Sequence, residues 1–126
     1  MDSESRAAGS LLTAMSRAVE RFDELRHPFV RREPFSYLVP GGATAGVHLV
    51  LPDGRMVRFA VSVAFAGNAF EVAGEVLVEE RSLVELRTEN VTDVREALDL
   101  LDGYVHEVVS PGRRILESLL EEVAES

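Results

Sequence analysis

The stretch MVRFAVSVAF, residues 56–65, alternates strictly between two kinds of side chain. Apolar side chains occupy the odd-numbered positions from Val57 to Phe65. Mostly smaller or polar side chains occupy the even-numbered positions, among them Arg58, Ala60, Ser62 and Ala64. Because successive side chains of a β-strand point to opposite faces, this pattern predicts a strand that buries its odd-numbered face.

Four further segments on either side of this one carry strand patterns. They are residues 35–39, 44–51, 69–79 and 83–87. Turn-forming sequences separate the strands: Pro40-Gly41-Gly42, Pro52-Asp53-Gly54, Gly67-Asn68 and Glu80-Arg81-Ser82. Connections this short join antiparallel neighbours, since parallel pairing needs a crossover of a dozen or more residues. The sequence therefore predicts a five-stranded antiparallel meander sheet.

Helical periodicity flanks the predicted sheet on both sides. Apolar residues recur every three or four positions over residues 4–26, which predicts an N-terminal helix that ends before Pro28. The same spacing returns over residues 91–108, with Asn90 as the expected N-cap. A last helix is expected to start at Ser110-Pro111, since serine favours the cap and proline the first helical position.

These elements define one domain. We predict a single α+β domain over residues 1–126, in which the N-terminal helix and the two C-terminal helices pack on one face of the sheet. The chain contains no cysteine, which excludes disulfides, thiolate metal sites and a cysteine nucleophile. It shows neither an apolar run of about 20 residues nor a secretory signal, so we expect a cytoplasmic protein. Its composition, in which arginine is the only strongly basic residue, is typical of a bacterial genome of high GC content.

Charge is distributed unevenly along the chain. The net charge is −9, but residues 1–66 carry eight arginines against seven acidic residues, and residues 67–126 carry five against fifteen. Nucleic acid and anionic membranes are not expected partners, because both require a basic surface. Glu117, Glu121 and Glu122 of the last predicted helix instead suggest an acidic face that binds a basic protein. The alternative is that this charge only keeps the protein in solution.

One basic segment, RHPFVRR at residues 26–32, stands out in this acidic chain. Arginine next to apolar residues is typical of interfaces, so its candidate partner-binding residues are Arg26, Phe29, Arg31 and Arg32. Alternatively, the segment pairs internally with the acidic C-terminal helices, and this is the interpretation that we favour.

A second candidate interface is the even-numbered face of residues 56–65. Its side chains Arg58, Ala60, Ser62 and Ala64 are predicted to contact another copy of the chain, because small residues permit close approach. The alternative is that small side chains are merely tolerated there.

Metal and catalytic motifs are incomplete. Asp23 with His27, and Asp102 with His106, each place two ligands four residues apart, which is half of a metal site. The alternative is an exposed ion pair within each helix, and we predict no metal and no cofactor. The glycine-rich residues 40–46 lack the lysine of a phosphate-binding loop. We predict no catalytic residues.

The order of helix, sheet and helices in a small acidic chain resembles that of secretion-chaperone-like domains. The resemblance implies a dimer that binds an extended segment of a client protein. Small acidic immunity proteins, which block a toxin, are similar in size and charge. The resemblance covers architecture only and transfers no motif. Such chaperones carry a helix between the third and fourth strands, where residues 66–69 predict a tight turn.

The leading hypothesis is a non-enzymatic protein-binding module, of the chaperone, immunity or adaptor kind, that uses an acidic helical face and a sheet face. An alternative is a small-molecule-binding domain or an enzyme. Its pocket would lie between sheet and helices, near Tyr37, His48 and Arg58. A third hypothesis is a purely structural subunit of a dimer.

Overall fold

The computed structural model describes residues 3–125, apart from the side chains of residues 3–8, 39 and 66. A helix is followed by five strands and two helices. These elements are α1 (Ser3–Phe22), β1 (Arg31–Val39), β2 (Gly42–Val50), β3 (Met56–Ala66), β4 (Ala69–Val78), β5 (Arg81–Val91), α2 (Val94–Val109) and α3 (Gly112–Glu125). The strands form one antiparallel sheet in the order β1-β2-β3-β4-β5. The predicted α+β meander is confirmed.

The helices pack on one side of the sheet, which we call the inner face. The strand register sets Val47, Phe59 and Val76 side by side on this face, and all three are fully buried. On the sheet, α1 contacts β1 and β2, whereas α2 contacts β3, β4 and β5, and the two helices also pack against each other. The apolar stripes of the helices and the inner face of the sheet form a single core.

The two C-terminal helices form one bent helix. Ser110 has helical backbone angles, φ −54° and ψ −45°, and its N–H donates to the carbonyl of His106. The prediction that Ser110 caps the last helix is therefore wrong, because this residue ends α2. The bend brings Gly112 onto the core, where a Cβ would lie 2.5 Å from Leu25 Cδ2 and 3.3 Å from Phe59 Cε2.

The start of α2 also differs from the prediction. Asn90 is not the N-cap, because β5 continues past it and pairs it with Glu71. Asp93 takes the cap, and its carboxylate accepts a hydrogen bond of 3.3 Å from the Glu96 N–H. An aspartate at this position satisfies an otherwise unpaired helix donor, so the helix begins three residues later than the sequence indicated.

The β4–β5 turn lies one residue earlier than predicted. Val78 pairs with Arg81, so the two turn residues are Glu79 and Glu80. Both have positive φ, 49° and 70°, a conformation that glycine or asparagine usually supplies in such turns. The Pro52-Asp53-Gly54 and Gly67-Asn68 turns connect strands as predicted, and the predicted turn at residues 40–42 is one residue shorter, because Gly42 begins β2 and pairs with Val39.

Candidate functional site

The outer face of the sheet, away from the helices, carries a cluster of aromatic and charged side chains. Phe35 of β1 stacks with Tyr37, with ring centroids 5.8 Å apart, and its centroid lies 4.7 Å from that of His48 on β2. Arg58 of β3 places its guanidinium carbon 4.6 Å from the Phe35 centroid, and its Nε lies 3.4 Å from Glu75 Oε2 on β4. We call these five residues the outer-face cluster. It crosses four of the five strands.

Strand register explains how the cluster forms. Phe35 lies directly opposite Gly46, where a Cβ would come within 2.9 Å of Phe35 Cζ and 1.9 Å of the Phe59 carbonyl oxygen. Only glycine fits this position, so the Phe35 ring lies over the backbone of β2. His48 and Arg58 are direct cross-strand neighbours, with His48 Nε2 3.5 Å from Arg58 Nη1.

Burial lowers the pKa of His48 below its usual value of 6.5, and the positive charge of Arg58 lowers it further. The carboxylate of Glu33 opposes this effect only in part. His48 is therefore neutral near pH 7. The charge of Arg58 is balanced by the carboxylate of Glu75, so the outer-face cluster carries little net charge.

The four residues predicted to contact a second copy all lie on the outer face. Ala60 is only 3% exposed, while Arg58, Ser62 and Ala64 are half-buried. In the register Ala60 stands between Gly46 and Glu75, within the outer-face cluster. Whether this face binds a second copy stays a prediction.

The pocket expected between sheet and helices near Tyr37, His48 and Arg58 is not where the sequence placed it. All three side chains belong to the outer face, whereas the helices cover the inner face. The alternation of β2 and β3 fixes this arrangement, because their neighbours Val47, Leu49 and Phe59 occupy the buried side.

The basic segment at residues 26–32 forms ion pairs close to itself in sequence. Arg26 and Arg32 both bind the carboxylate of Asp23, at 2.6 Å and 2.7 Å, and Arg31 lies 3.0 Å from Glu33. The hydrogen bond from Arg26 lowers the pKa of Asp23, desolvation opposes this in part, and the positive charge of Arg32 lowers the pKa further. Internal pairing therefore occurs, but with acidic residues of the first half of the chain. The favoured pairing with the C-terminal helices is wrong in its partner.

Phe29, in the middle of this segment, is 75% exposed. It lines a groove of about 380 Å³ with His27, Pro52, Leu120, Val123 and Ala124. We call this the Phe29 groove. One wall is the turn before β1, and the other is the C-terminal half of α3. The structure thus brings the predicted residue Phe29 close to the helix that carries Glu117, Glu121 and Glu122.

The acidic side chains of α2 and α3 form no ion pair with any side chain that the structure describes. Each of the ion pairs formed within the described part of the chain uses an acidic residue from Asp23 to Glu75. Glu117, Glu121 and Glu122 are exposed and have no ion-pair partner among residues 9–125. Their charge is therefore available to a basic partner.

A wider groove runs between α1 and α2 and measures about 1130 Å³. Its floor includes Ala18, Leu101 and Val105, and charged side chains of both signs line its rim. These rim residues are Arg17, Arg21, Arg95, Asp99 and Asp102. Arg21 binds Glu24 at 2.7 Å. The mixed rim offers no single charge that selects a ligand.

The two Asp–His pairs do not build a metal site. No group of three or more histidine and carboxylate side chains able to hold a metal occurs within the described residues. Asp23 is occupied by its two arginines, and His27 Nδ1 accepts a 3.2 Å hydrogen bond from the Phe29 N–H. Across residues 3–125, no helix has both the length and the apolar character needed to cross a membrane.

Comparison with known proteins found no match among family models, curated proteins or solved structures.

Sequence reasoning overlooked two parts of these sites. Phe35 and Glu75 each sit in an alternating strand, but only the strand register shows that they meet through Arg58. The α3 wall of the Phe29 groove, formed by Leu120, Val123 and Ala124, joins elements about 90 residues apart in sequence, which periodicity within one element cannot indicate.

Proposed function

We propose that this chain is a non-enzymatic protein-binding module that docks a segment of another protein in the Phe29 groove. The partner segment carries an apolar anchor flanked by arginine or lysine. The observation that supports this proposal is an exposed phenylalanine in an apolar groove whose α3 wall adjoins the exposed acidic residues Glu117 and Glu121. Of the kinds considered from sequence, chaperone, immunity protein and adaptor all fit such a module.

The apolar part of the groove supplies the anchor site. Phe29 is the most exposed large hydrophobic residue among those described, and it faces small and branched side chains of α3 across the groove. Aromatic residues that bury their full surface on binding commonly dominate an interface. A leucine, methionine or aromatic side chain of the partner fits the space beside Phe29.

Charge supplies the selectivity. Glu117 and Glu121 precede Leu120 and Ala124 by three residues, so they lie on the adjoining strip of α3. They form no ion pair within the described part of the chain, so they can attract basic flanking residues of the partner and speed its association. Such attraction between exposed charges weakens as salt concentration rises.

Two designed peptides test the proposal. Both carry a central Leu-Leu pair, flanked by arginines in one peptide and by glutamates in the other. Fluorescence anisotropy should detect binding of the arginine peptide only, with affinity falling as salt increases. Phe29→Ala should weaken this binding about tenfold, the typical loss for a central interface anchor.

A matched charge pair controls for non-specific attraction. Glu117→Arg with Glu121→Arg should abolish binding, whereas Asp99→Arg with Glu107→Arg changes the net charge equally on α2 and should leave most of it. Equal loss in both double variants would refute the groove and leave only general electrostatic attraction. Binding of the glutamate peptide as strongly as the arginine peptide would refute the role of charge.

Small-molecule binding is the second candidate, and the groove between α1 and α2 is the observation that favours it. A ligand held there should raise the melting temperature by mass action, and Leu101→Ala should remove that shift. For either function we propose a cytoplasmic location, since a chain without cysteine needs no oxidising compartment.

A further inference from the structure

We propose that the outer face of the sheet is a homodimer interface, in which two copies pack sheet against sheet about a two-fold axis parallel to β3. In this arrangement β3 of one copy lies over β3 of the other, and β1 lies over β5. The outer face is a different surface from the Phe29 groove, and this dimer does not depend on binding at the groove.

The size of the face matches what a stable dimer needs. Five strands at a spacing of about 4.8 Å make the sheet about 24 Å wide, and strands of nine to eleven residues make it about 30 Å long. Each copy therefore offers about 700 Å². Pairing two such faces buries about 1,400 Å², within the range of specific protein interfaces.

The centre of the face permits close approach. Small side chains occupy many of the outer positions of the three central strands, mainly at the end that includes Gly42, and the aromatic pair Phe35 and Tyr37 lies at the β1 side. These small residues are Gly42, Thr44, Gly46, Ala60, Ser62, Ala64, Ala69 and Ala73. Face-to-face sheets lie about 10 Å apart, and small residues opposite large ones let the two layers fill that space.

Charge selects the direction of the axis. The β4–β5 half carries Glu71, Glu75 and Glu85, whereas on the β1–β2 half Glu33 pairs with Arg31 next to the aromatic pair and a neutral histidine. An axis running across the strands would place β4 against β4 and bring like charges of the two copies together. An axis parallel to β3 places each acidic half over the other copy's aromatic half. The second arrangement avoids the repulsion.

Two further features concern the choice of this interface. Arg58 lies next to the axis in both copies, but each guanidinium is already bound by its own Glu75 and lies over its own Phe35. Edge-to-edge pairing through β1 is disfavoured, because Pro34 in the middle of that strand has no N–H to donate to an added strand. The face therefore accommodates a second copy better than the β1 edge does.

Sedimentation analysis over a range of concentrations tests the dimer. The chain should show a reversible monomer–dimer equilibrium, and Ala73→Arg should raise the dissociation constant at least about tenfold by placing bulk and charge in the interface. Ser118→Arg, on the exposed side of α3, is the matched control and should leave the dimer intact. A monomer at all concentrations, or a dimer equally tolerant of both substitutions, would overturn the proposal.

Cross-linking tests the axis without relying on a destabilised variant. The chain has no cysteine, so single introduced cysteines report directly. With a short bis-maleimide, the two cysteines of a Ser62→Cys dimer should be linked to each other across the axis. Tyr37→Cys should not, because the two β1 strands lie about 19 Å apart sideways. Efficient linkage of Tyr37→Cys with none of Ser62→Cys would exclude this axis.

Discussion

The two faces of the same sheet are built on different principles. On the inner face of β3 the side chains of Val57, Phe59 and Val63 are at most 2% exposed, and helices cover them. On its outer face, small residues leave a shallow floor beside a cluster held by stacking and one ion pair. We therefore expect the inner face to supply most of the stability of this fold. Substitutions on the inner face should reduce stability, and those on the outer face should mainly affect association.

The sharpest test truncates one phenylalanine on each face. Phe59→Ala removes a fully buried ring from the inner face and should lower the free energy of unfolding by about 3–5 kcal/mol. Phe35→Ala removes a half-buried ring that lies over Gly46 and should cost about 1 kcal/mol. Urea unfolding at a concentration where the chain is monomeric measures both.

Urea unfolding of Phe59→Ala and Phe35→Ala can also contradict the expected difference between the faces. Equal losses for the two variants would mean that the outer-face cluster belongs to the folding core, and the comparison between faces would fail. A larger effect of Phe35→Ala at high protein concentration than at low concentration would instead show that the dimer adds stability through this face.

Two glycines extend the comparison to the helices. Gly112→Ala directs a Cβ to 2.5 Å from Leu25 Cδ2 in the core and should cost about 1–3 kcal/mol through overpacking. Gly103 lies exposed in the middle of α2 with nothing within 4 Å of its virtual Cβ. Gly103→Ala should therefore stabilise the protein by about 0.5–1 kcal/mol through helix propensity. Thermal unfolding that shifts both variants in the same direction would contradict this assignment of the helix faces.

Much of this fold could be predicted from sequence, because periodicity and turn chemistry act locally. Strict alternation around Phe59 and the glycine turns determine the strands and their order. Boundaries were less predictable where two local signals compete. Asn90 and Asp93 are both good caps, and strand pairing with Glu71 decided between them.

The sites were harder to predict, because each joins distant elements. The pairing of Arg26 and Arg32 with Asp23 lies within ten residues, yet net charge alone favoured the acidic helices instead. The Phe29 groove requires α3 to return to the turn before β1 after the chain bends at Ser110-Pro111. Proline at this point predicts a break between helices, but it does not predict the direction that α3 takes.

The hydroxyl groups of Tyr104, on the helical side of the sheet, and Tyr37, on the outer face, are expected to contribute differently to stability. Tyr104 of α2 is buried, and its hydroxyl donates to the Arg87 carbonyl and lies 3.0 Å from Glu89 Oε2. Burial raises the pKa of Tyr104, so the hydroxyl keeps its proton and stays a donor at neutral pH. Tyr104→Phe should cost about 1 kcal/mol, the usual value of one such bond.

Tyr37 supplies the matched control on the outer face. Its hydroxyl forms no hydrogen bond with any described residue, so Tyr37→Phe should change stability by less than about 0.5 kcal/mol. Guanidinium unfolding of the two variants makes the comparison directly. A loss at Tyr37 as large as that at Tyr104 would show an outer-face contact that holds the fold.

The smallest expected effect concerns Asp23, the paired acidic residue that orders the segment before β1. The hydrogen bond from Arg26 lowers the pKa of Asp23 in the folded state below its unfolded value. Its ionised form therefore contributes stability above the unfolded pKa, and this contribution is lost as pH falls through the folded pKa. Asp23→Asn should be less stable than the parent near neutral pH, and the difference should shrink on acidification to about pH 3.

Asp99, which has no ion pair within the described residues, supplies the contrast. Asp99→Asn removes a charge of the same sign from a rim that carries both signs, so it should change stability by less than about 0.5 kcal/mol at neutral pH. A loss of stability for Asp23→Asn with little change for Asp99→Asn would show that charge stabilises the segment before β1 but not the helices. A decrease in stability of equal size for Asp99→Asn would mean that the acidic residues of the helices have partners within the fold. It would then contradict the proposal that α3 offers free acidic side chains to a basic partner.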